Sequence, residues 1–228
     1  MTASLNGLIV FDLDNTVVHS RIDFAGLRRA IIAALRDARV PIGRDEELMR
    51  LSIGQIIAIG EAEDGDTGRR LGAEAWRLVL EYERAGMRQA TVEPEAARTL
   101  GALRDSGFLL VVLTNNARLA TLDALEKFEL SAAFDMILTR DEVAMKPEPE
   151  GIERARAHFG PRAARTVMVG DSWLDGTAAQ RAGVPFIAFR PKPEALEQRG
   201  VPVWVVVERL DQIATVVDGS WPTLRPPS

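Results

Sequence analysis

Six short runs in this chain are apolar at nearly every position rather than at every second one. They cover residues 8–13, 108–113, 134–138, 167–169, 185–189 and 203–207. Continuous hydrophobicity over this length is expected of strands that are buried on both faces, as in a parallel sheet covered by helices. The runs therefore predict an α/β fold built around a parallel sheet.

Helical patterning fills the intervals between these runs from about residue 93 onward. Residues 94–105, 117–128, 149–159, 174–182 and 194–199 carry apolar side chains at spacings of three and four, and Gly107, Gly160, Gly183 and Gly200 mark helix ends. Alternation of strand and helix is typical of right-handed βαβ units. We predict a doubly wound, Rossmann-like core.

One interval lacks strands. Between the first and second apolar runs, residues 23–90 show only helical patterning, at 24–38, 46–61 and 68–87. This interval is too long for a simple crossover, so it predicts an inserted α-helical cap. The core would then comprise residues 1–22 and 91–218. The tail, residues 219–228, is rich in proline and glycine and is expected to be disordered.

Composition narrows the class of partner and of metal site. The chain of 228 residues has 28 Lys and Arg against 33 Asp and Glu, a net charge of −5 that argues against nucleic acid or an anionic membrane as partner. It has no cysteine and two histidines, so a metal would need oxygen or imidazole ligands, and a hard cation held by carboxylates is favoured over a multi-histidine centre. No apolar run is long enough to span a bilayer, and we expect a cytoplasmic protein. The sequence does not define its oligomeric state.

Carboxylates follow two of the predicted strands. Asp12 and Asp14 end the first run, and Asp171 and Asp175 follow the fourth. A polar strand end or a helix N-cap would explain one such residue, and a calcium loop is excluded because Val17 occupies the position that needs glycine. Carboxylates gathered at one sheet edge repel one another, and a cation or a raised pKa on one of them must offset the repulsion. Magnesium is the simplest candidate.

Two further segments contribute polar groups that suit a phosphate. The second run ends in Thr114 and Asn115, whose hydroxyl, amide and backbone N–H groups could bind a phosphate oxygen, although such residues often only cap a helix. Lys146 is one of only three lysines in an arginine-rich chain, and two prolines stiffen its segment. Its ammonium could neutralise a carboxylate and a phosphate, although an exposed lysine before a helix is the plainer alternative.

The order of the segments FDLDNT, LTNN, Lys146-Pro147 and GDSWLD resembles the four motifs of the haloacid dehalogenase superfamily, in its phosphatase branch. The helical insertion resembles the cap of the group that includes phosphoglycolate phosphatases and β-phosphoglucomutases. The resemblance departs at Asn15, where the phosphatases usually have glycine. Asparagine tolerates unusual backbone angles, so the turn is expected to survive.

The resemblance implies a role for each motif residue. Asp12 would be the nucleophile and Asp14 the general acid and base. Thr114 would bind phosphate and Lys146 would balance charge. Magnesium would be held by Asp12, by the Asp14 carbonyl and by Asp171, and Asp175 would support that site.

These roles predict a Mg²⁺-dependent phosphatase that hydrolyses a small phosphorylated metabolite through an aspartyl phosphate. A phosphotransferase or sugar-phosphate mutase would share every motif. Halide removal is disfavoured because that chemistry in the resembling family dispenses with the second carboxylate, and Asp14 is present. A non-catalytic binding protein on the same scaffold is a third alternative.

Overall fold

The structure is a computed structural model that describes residues 6–219 and Trp221. The described residues divide into two compact units. Unit 1 contains the residues up to Ser20 and those from Ala90 onward, and unit 2 is Arg21–Gln89. The sequence analysis predicted the domain boundaries after residues 22 and 90, whereas the two units divide after Ser20 and Gln89. The predicted disorder of residues 219–228 lies outside the described residues except at Gly219 and Trp221.

Unit 1 is organised around a six-stranded sheet in the order β5-β4-β1-β6-β7-β8, in which every pairing is parallel. Each of its strands overlaps one of the six apolar runs, so the predicted parallel α/β sheet is confirmed. The strands of the molecule are β1 (Gly7–Phe11), β2 (Val18–His19), β3 (Thr91–Val92), β4 (Phe108–Leu113), β5 (Met136–Leu138), β6 (Thr166–Gly170), β7 (Phe186–Phe189) and β8 (Val205–Val207).

Ten α-helices are found among the described residues. Four lie in unit 2: α1 (Phe24–Asp37), α2 (Asp45–Leu48), α3 (Ile53–Glu61) and α4 (Gly65–Arg88). Six lie in unit 1: α5 (Ala96–Asp105), α6 (Arg118–Lys127), α7 (Glu150–Phe159), α8 (Trp173–Arg181), α9 (Pro193–Glu197) and α10 (Gln212–Asp218). The sequence analysis did not predict α10. No helix of the described residues combines the length and the apolar character needed to cross a membrane.

The central strands of unit 1 are buried on both faces, as their composition requires. Every residue of β1, β4 and β6 is buried. Side chains from alternate positions of β1, such as Leu8 and Val10, pack with Ile152 of α7 and Ala178 of α8 in one hydrophobic cluster. At about 25 cal/mol per Å² of apolar surface, burial of these strands is the main source of stability in unit 1.

Unit 2 is a helical bundle with its own core, to which α1, α3 and α4 contribute Leu27, Ile31, Ile56 and Leu71. One sequence prediction is wrong here, because residues 46–61 form two helices, α2 and α3, rather than one. Ser52 is the reason. Its side chain accepts a hydrogen bond from the Gln55 backbone N–H and starts α3 with a capping box, so the chain cannot continue as one helix through it.

A short antiparallel ribbon, also absent from the sequence prediction, forms where the chain leaves and re-enters unit 1. Val18 pairs with Val92 and His19 pairs with Thr91. Two-residue strands are too short to produce a periodic pattern, so no sequence signal marks them. The ribbon brings the two ends of the inserted segment next to each other.

The strand order determines where a ligand can bind. β1 lies between β4 and β6, so the chain runs outward to one side of β1 first and to the other side later. In open α/β sheets, such a reversal of strand order leaves a crevice beyond the carboxyl ends of the strands. The residues that follow β1, β4 and β6 therefore line this crevice.

Candidate active site

Strand register brings the sequence motifs to one edge of the sheet. Phe11 at the end of β1 pairs with Val112 of β4 and with Val169 of β6. Asp12 follows directly, and its backbone N–H donates to the Val169 carbonyl at 2.8 Å. Thr114 and Asp171 follow β4 and β6 at the same edge.

Lys146 links two of the predicted carboxylates. Its Nζ donates to Asp12 Oδ1 at 2.5 Å and to Asp175 Oδ1 at 2.6 Å. All three side chains are buried, with relative exposures of 4% for Lys146, 9% for Asp12 and 1% for Asp175. Lys146 is therefore not the exposed lysine of the plainer alternative, because its ammonium is buried and contacts two carboxylates.

The electrostatics of the cluster follow from burial. Desolvation raises the pKa of Asp12 well above its usual range, the Lys146 ammonium opposes that shift, and Asp175 and Asp171 add to it. Burial acts against the charged form of Lys146, but Asp12 and Asp175 outweigh it and raise the Lys146 pKa above its usual range. Burial, followed by the charge of Asp175, raises the pKa of Asp171 to about 6. The carboxylates together carry more negative charge than one lysine balances.

Three carboxylates are arranged to hold a cation. Oxygens of Asp12, Asp171 and Asp175 lie within 4.8 Å of one another. All-oxygen donor sets of this kind suit Mg²⁺, and the raised pKa values of Asp12 and Asp171 indicate charge that a cation would relieve. The donor set therefore fits magnesium.

Asp175 has a second task in this arrangement. Its Oδ2 accepts hydrogen bonds from the Ser172 backbone N–H at 3.0 Å and from the Ser172 hydroxyl at 2.5 Å. A Cβ on Gly170 would clash with the Asp175 side chain, so only glycine fits before Asp171. With one oxygen on Lys146 and the other on Ser172, Asp175 orients the loop that carries Asp171.

The Asp14 carboxylate is bonded to Ser20 rather than to Lys146. It accepts from the Ser20 backbone N–H at 3.0 Å and from the Ser20 hydroxyl at 2.7 Å. This carboxylate is not among the three that lie close enough to share a cation, and the resemblance assigned the metal contact of Asp14 to its backbone carbonyl. Asn15 beside it has a φ of 60°, a left-handed conformation that asparagine tolerates better than most residues, as predicted.

Thr114 and Asn115, both predicted to bind phosphate, have different hydrogen-bond partners. Thr114 is buried, and its hydroxyl oxygen accepts from the Asn116 backbone N–H at 3.2 Å, so its O–H can still donate to a phosphate oxygen. The Asn115 side chain instead bonds the backbone of Lys146, donating from Nδ2 to the carbonyl at 2.9 Å and accepting at Oδ1 from the N–H at 2.7 Å.

Three residues that the sequence analysis did not assign to the site contact its carboxylates. Thr16 is fully buried and donates from Oγ1 to Asp12 Oδ2 at 3.2 Å. Ser20 holds Asp14 and Ser172 holds Asp175. The short spacing of Ser172 from Asp175 is a capping-box signal that could have identified that contact, whereas no local pattern indicates the contact of Ser20 with Asp14.

The chain matches known proteins over most of its length. Residues 7–183 match the family model described as haloacid dehalogenase-like hydrolase. The chain is 31% identical over 206 residues to a phosphoglycolate phosphatase of Caulobacter vibrioides, covering 86% of this chain and 85% of that protein. It is 31% identical over 189 residues to a protein of Dickeya dadantii named probable phosphatase IndB, covering 79% of each.

Solved structures share the fold at lower identity. A putative haloacid dehalogenase-like hydrolase from Bacteroides fragilis has a TM-score of 0.68 at 22% identity, over 92% of this chain and 100% of that one. A predicted phosphoglycolate phosphatase from Haemophilus somnus has a TM-score of 0.62 at 22% identity, over 92% and 96%. The sheet order, the motif residues at its carboxyl edge and these matches lead to one conclusion: the chain belongs to the haloacid dehalogenase-like hydrolases, among their phosphatases.

Proposed function

We propose that this protein is a Mg²⁺-dependent phosphomonoesterase that acts on a small phosphorylated metabolite through a phosphate ester of Asp12. The observation that carries the proposal is the buried group of Asp12, Lys146 and Asp175, with Asp171 beside it. A carboxylate nucleophile, a fixed ammonium and an all-oxygen cation site at one sheet edge are the parts that phosphoryl transfer needs.

Each step balances with residues of this chain. An Asp12 carboxylate oxygen attacks phosphorus, and the bond from phosphorus to the leaving oxygen breaks while Asp14 gives that oxygen a proton. To give this proton, the Asp14 carboxyl group must break its hydrogen bond with Ser20 and contact the leaving oxygen instead. Water then attacks the phosphorus of the aspartyl phosphate, Asp14 takes its proton, and phosphate leaves with Asp12 restored.

The remaining residues of the site would stabilise the negative charge of the phosphoryl group. Lys146 and the Thr114 hydroxyl would stabilise the negative oxygens of the transferring group. Magnesium, when bound by Asp12, Asp171 and the Asp14 carbonyl, supplies positive charge for the phosphoryl oxygens. Unit 2 would act as the cap that selects the substrate.

Phosphoglycolate is the first substrate to test, because several relatives carry the name phosphoglycolate phosphatase. We expect Mg²⁺-dependent release of phosphate from 2-phosphoglycolate and from p-nitrophenyl phosphate. The alcohol and inorganic phosphate should appear in equal amounts. A deficit of phosphate would instead indicate transfer to an acceptor, as in a phosphotransferase or mutase.

The Asp12→Asn variant tests the nucleophile. It should lose all measurable turnover and keep its fold, because the amide is nearly isosteric but cannot attack phosphorus. The control is Asp105→Asn, which changes an exposed carboxylate at the end of α5 and should be fully active. No phosphate release by the wild type from a panel of phosphorylated metabolites, or Asp12→Asn activity within about tenfold of wild type, would refute the proposal.

A further inference from the structure

The Asn115 side chain makes both of its recorded hydrogen bonds to the backbone of a single residue, Lys146. Nδ2 donates to the Lys146 carbonyl at 2.9 Å and Oδ1 accepts from the Lys146 N–H at 2.7 Å. The two contacts together specify the orientation of the amide, because exchanging its oxygen and nitrogen would place donor against donor and acceptor against acceptor.

Lys146 lies where the chain has no regular secondary structure to hold it. Residues 139–149, between β5 and α7, contain neither helix nor strand. Both backbone polar groups of Lys146 are nevertheless satisfied, and Asn115 satisfies both, as a neighbouring strand would. Asn115 itself directly follows Thr114 at the carboxyl end of β4, and its carbonyl accepts from the Arg140 guanidinium at 3.1 Å.

The position of the Lys146 backbone determines where its ammonium lies. Nζ must reach Asp12 and Asp175 at once, at 2.5 and 2.6 Å. A long flexible side chain keeps such geometry only if its backbone is held in place. Misplacement of a catalytic group by about 1 Å can cost on the order of 10²-fold in rate.

We infer that Asn115 is a positioning residue for Lys146, rather than the phosphate ligand that its place in the second motif suggested. Its bonds to the Lys146 backbone tie the end of β4 to the loop that carries the ammonium. The expected effect on kcat rests on the proposed function, whereas the expected effect on the position of Lys146 does not. One N–H of the Asn115 amide is not used by Lys146, and donation of that hydrogen to phosphate is the competing role.

A labelling experiment tests the structural consequence without turnover. The chain has only three lysines, Lys127, Lys146 and Lys192, so limited acylation followed by peptide mass spectrometry can measure each one separately. In Asn115→Ala, Lys146 should react several-fold faster relative to Lys192 than in the wild type, because its backbone is released. An unchanged ratio would overturn the inference, even if the wild type proved to have no phosphatase activity.

Kinetics separate positioning from phosphate binding. We expect Asn115→Ala to lower kcat for p-nitrophenyl phosphate by about 10- to 100-fold with little change in KM. In a Lys146→Ala background, measured by single turnover, the same substitution should cause little further loss, because Asn115 acts through the lysine. Additive losses, or a rise in KM with kcat unchanged, would show that Asn115 binds phosphate directly and would overturn the inference.

Two further variants control for folding and for position. Asn115→Asp keeps the size of the side chain and an acceptor for the Lys146 N–H, but it removes the donor to the Lys146 carbonyl. It should also increase the labelling of Lys146 relative to Lys192, and it replaces Asn115→Ala in the test if that variant does not fold. Asn6→Ala is the matched control, because it also removes an asparagine side chain that donates to a backbone carbonyl, that of Ser106 at 2.6 Å, and it lies outside the motifs of the site. Labelling and kcat should stay close to wild type.

Discussion

At the scale of single residues, the site separates two carboxylates that lie two positions apart in the sequence. Asp12 is buried against Lys146, whereas Asp14 is half-buried and held by Ser20. Burial raises the pKa of Asp12, and the ammonium of Lys146 counteracts the shift and favours the charged form that a nucleophile needs. The two residues thus have different surroundings, which supports the different tasks proposed for them, attack and proton transfer.

Asp14→Asn should affect substrates according to their leaving group. An alkoxide needs a proton in the transition state, whereas nitrophenolate departs without one, so alkyl phosphates should lose more activity than p-nitrophenyl phosphate. Attack of water on the aspartyl phosphate also slows. Rapid mixing should therefore show a burst of about one nitrophenolate per enzyme followed by a slow steady rate. Equal losses on both substrates without a burst would show that another group transfers the proton.

The raised pKa of Asp171 predicts how magnesium binding depends on pH. The pKa of Asp171, about 6, is higher in the folded protein than in an unfolded chain. Ionisation of Asp171 therefore costs the metal-free protein folding stability as pH rises from about 4 to 6, and this penalty is complete above about 6. The raised pKa of Asp12 acts in the same direction. A bound cation removes this penalty and must displace protons at low pH. Mg²⁺ should therefore raise Tm more at about pH 7.5 than at about pH 5.

The matched variants for this experiment are Asp171→Asn and Asp105→Asn. Asp171→Asn should show a much smaller Mg²⁺-dependent rise in Tm at about pH 7.5, because a ligand has been removed. Asp105→Asn should respond as the wild type does. An equal rise in Tm at both pH values would contradict a cation site built from these carboxylates.

At the scale of secondary-structure elements, the ribbon of β2 and β3 is joined to the sheet through a buried carboxylate. Glu93, just after β3, is 2% exposed and receives Arg190 in a bidentate pair, with both distances 2.8 Å. His19 Nε2 of β2 lies 2.6 Å from Glu93 Oε2. Arg190 directly follows β7, so three elements meet at Glu93.

Removing the arginine should destabilise the protein more than neutralising the glutamate. Arg190→Ala leaves a buried carboxylate without its bidentate partner and should cost about 2 kcal/mol of unfolding free energy, less than a fully buried pair because Arg190 is 41% exposed. Glu93→Gln leaves the partly exposed Arg190 guanidinium, which water can reach, and should cost about 1 kcal/mol. Urea denaturation measures both.

The exposed pair of Arg209 and Asp211 provides the control, and Arg209→Ala should leave the unfolding midpoint nearly unchanged. If Glu93→Gln proved more destabilising than Arg190→Ala, the bidentate pair would not be what holds the ribbon to β7.

At the scale of the whole molecule, unit 2 is inserted into unit 1 through one antiparallel ribbon. Because His19 pairs with Thr91, Ser20 and Ala90 are at adjacent positions across the ribbon. A two-residue Asn-Gly turn can close such a hairpin. The strands and helices of unit 1 have their own hydrophobic cluster, which contains no residue of unit 2.

Replacement of Arg21–Gln89 by Asn-Gly should therefore give a folded unit 1. We expect cooperative unfolding, a monodisperse profile in size-exclusion chromatography, retained Mg²⁺-dependent hydrolysis of p-nitrophenyl phosphate and weaker discrimination among metabolites. The same deletion carrying Asp12→Asn controls for contaminating phosphatase. A soluble but unfolded product would show that unit 1 depends on unit 2 for its stability.

Local sequence patterns alone determined the parallel sheet, most of the helices and the motif residues of the site. Apolar runs report burial on both faces of a strand, and the motifs report residue types at fixed spacings. The tolerance of asparagine for unusual backbone angles predicts that the turn at Asn15 survives without glycine, and Asn15 has a φ of 60° there. These features depend on residues that are close together in the chain.

The partner of each polar group depends instead on how the chain folds. The contacts of Lys146 with Asp12, of Asn115 with the Lys146 backbone and of Arg190 with Glu93 join residues 134, 31 and 97 positions apart. Ser20 reaches Asp14 only because the chain turns back after β1. Hydrogen bonds and ion pairs are short-ranged, so their partners depend on how the strands are ordered in the sheet, and no local pattern encodes that order.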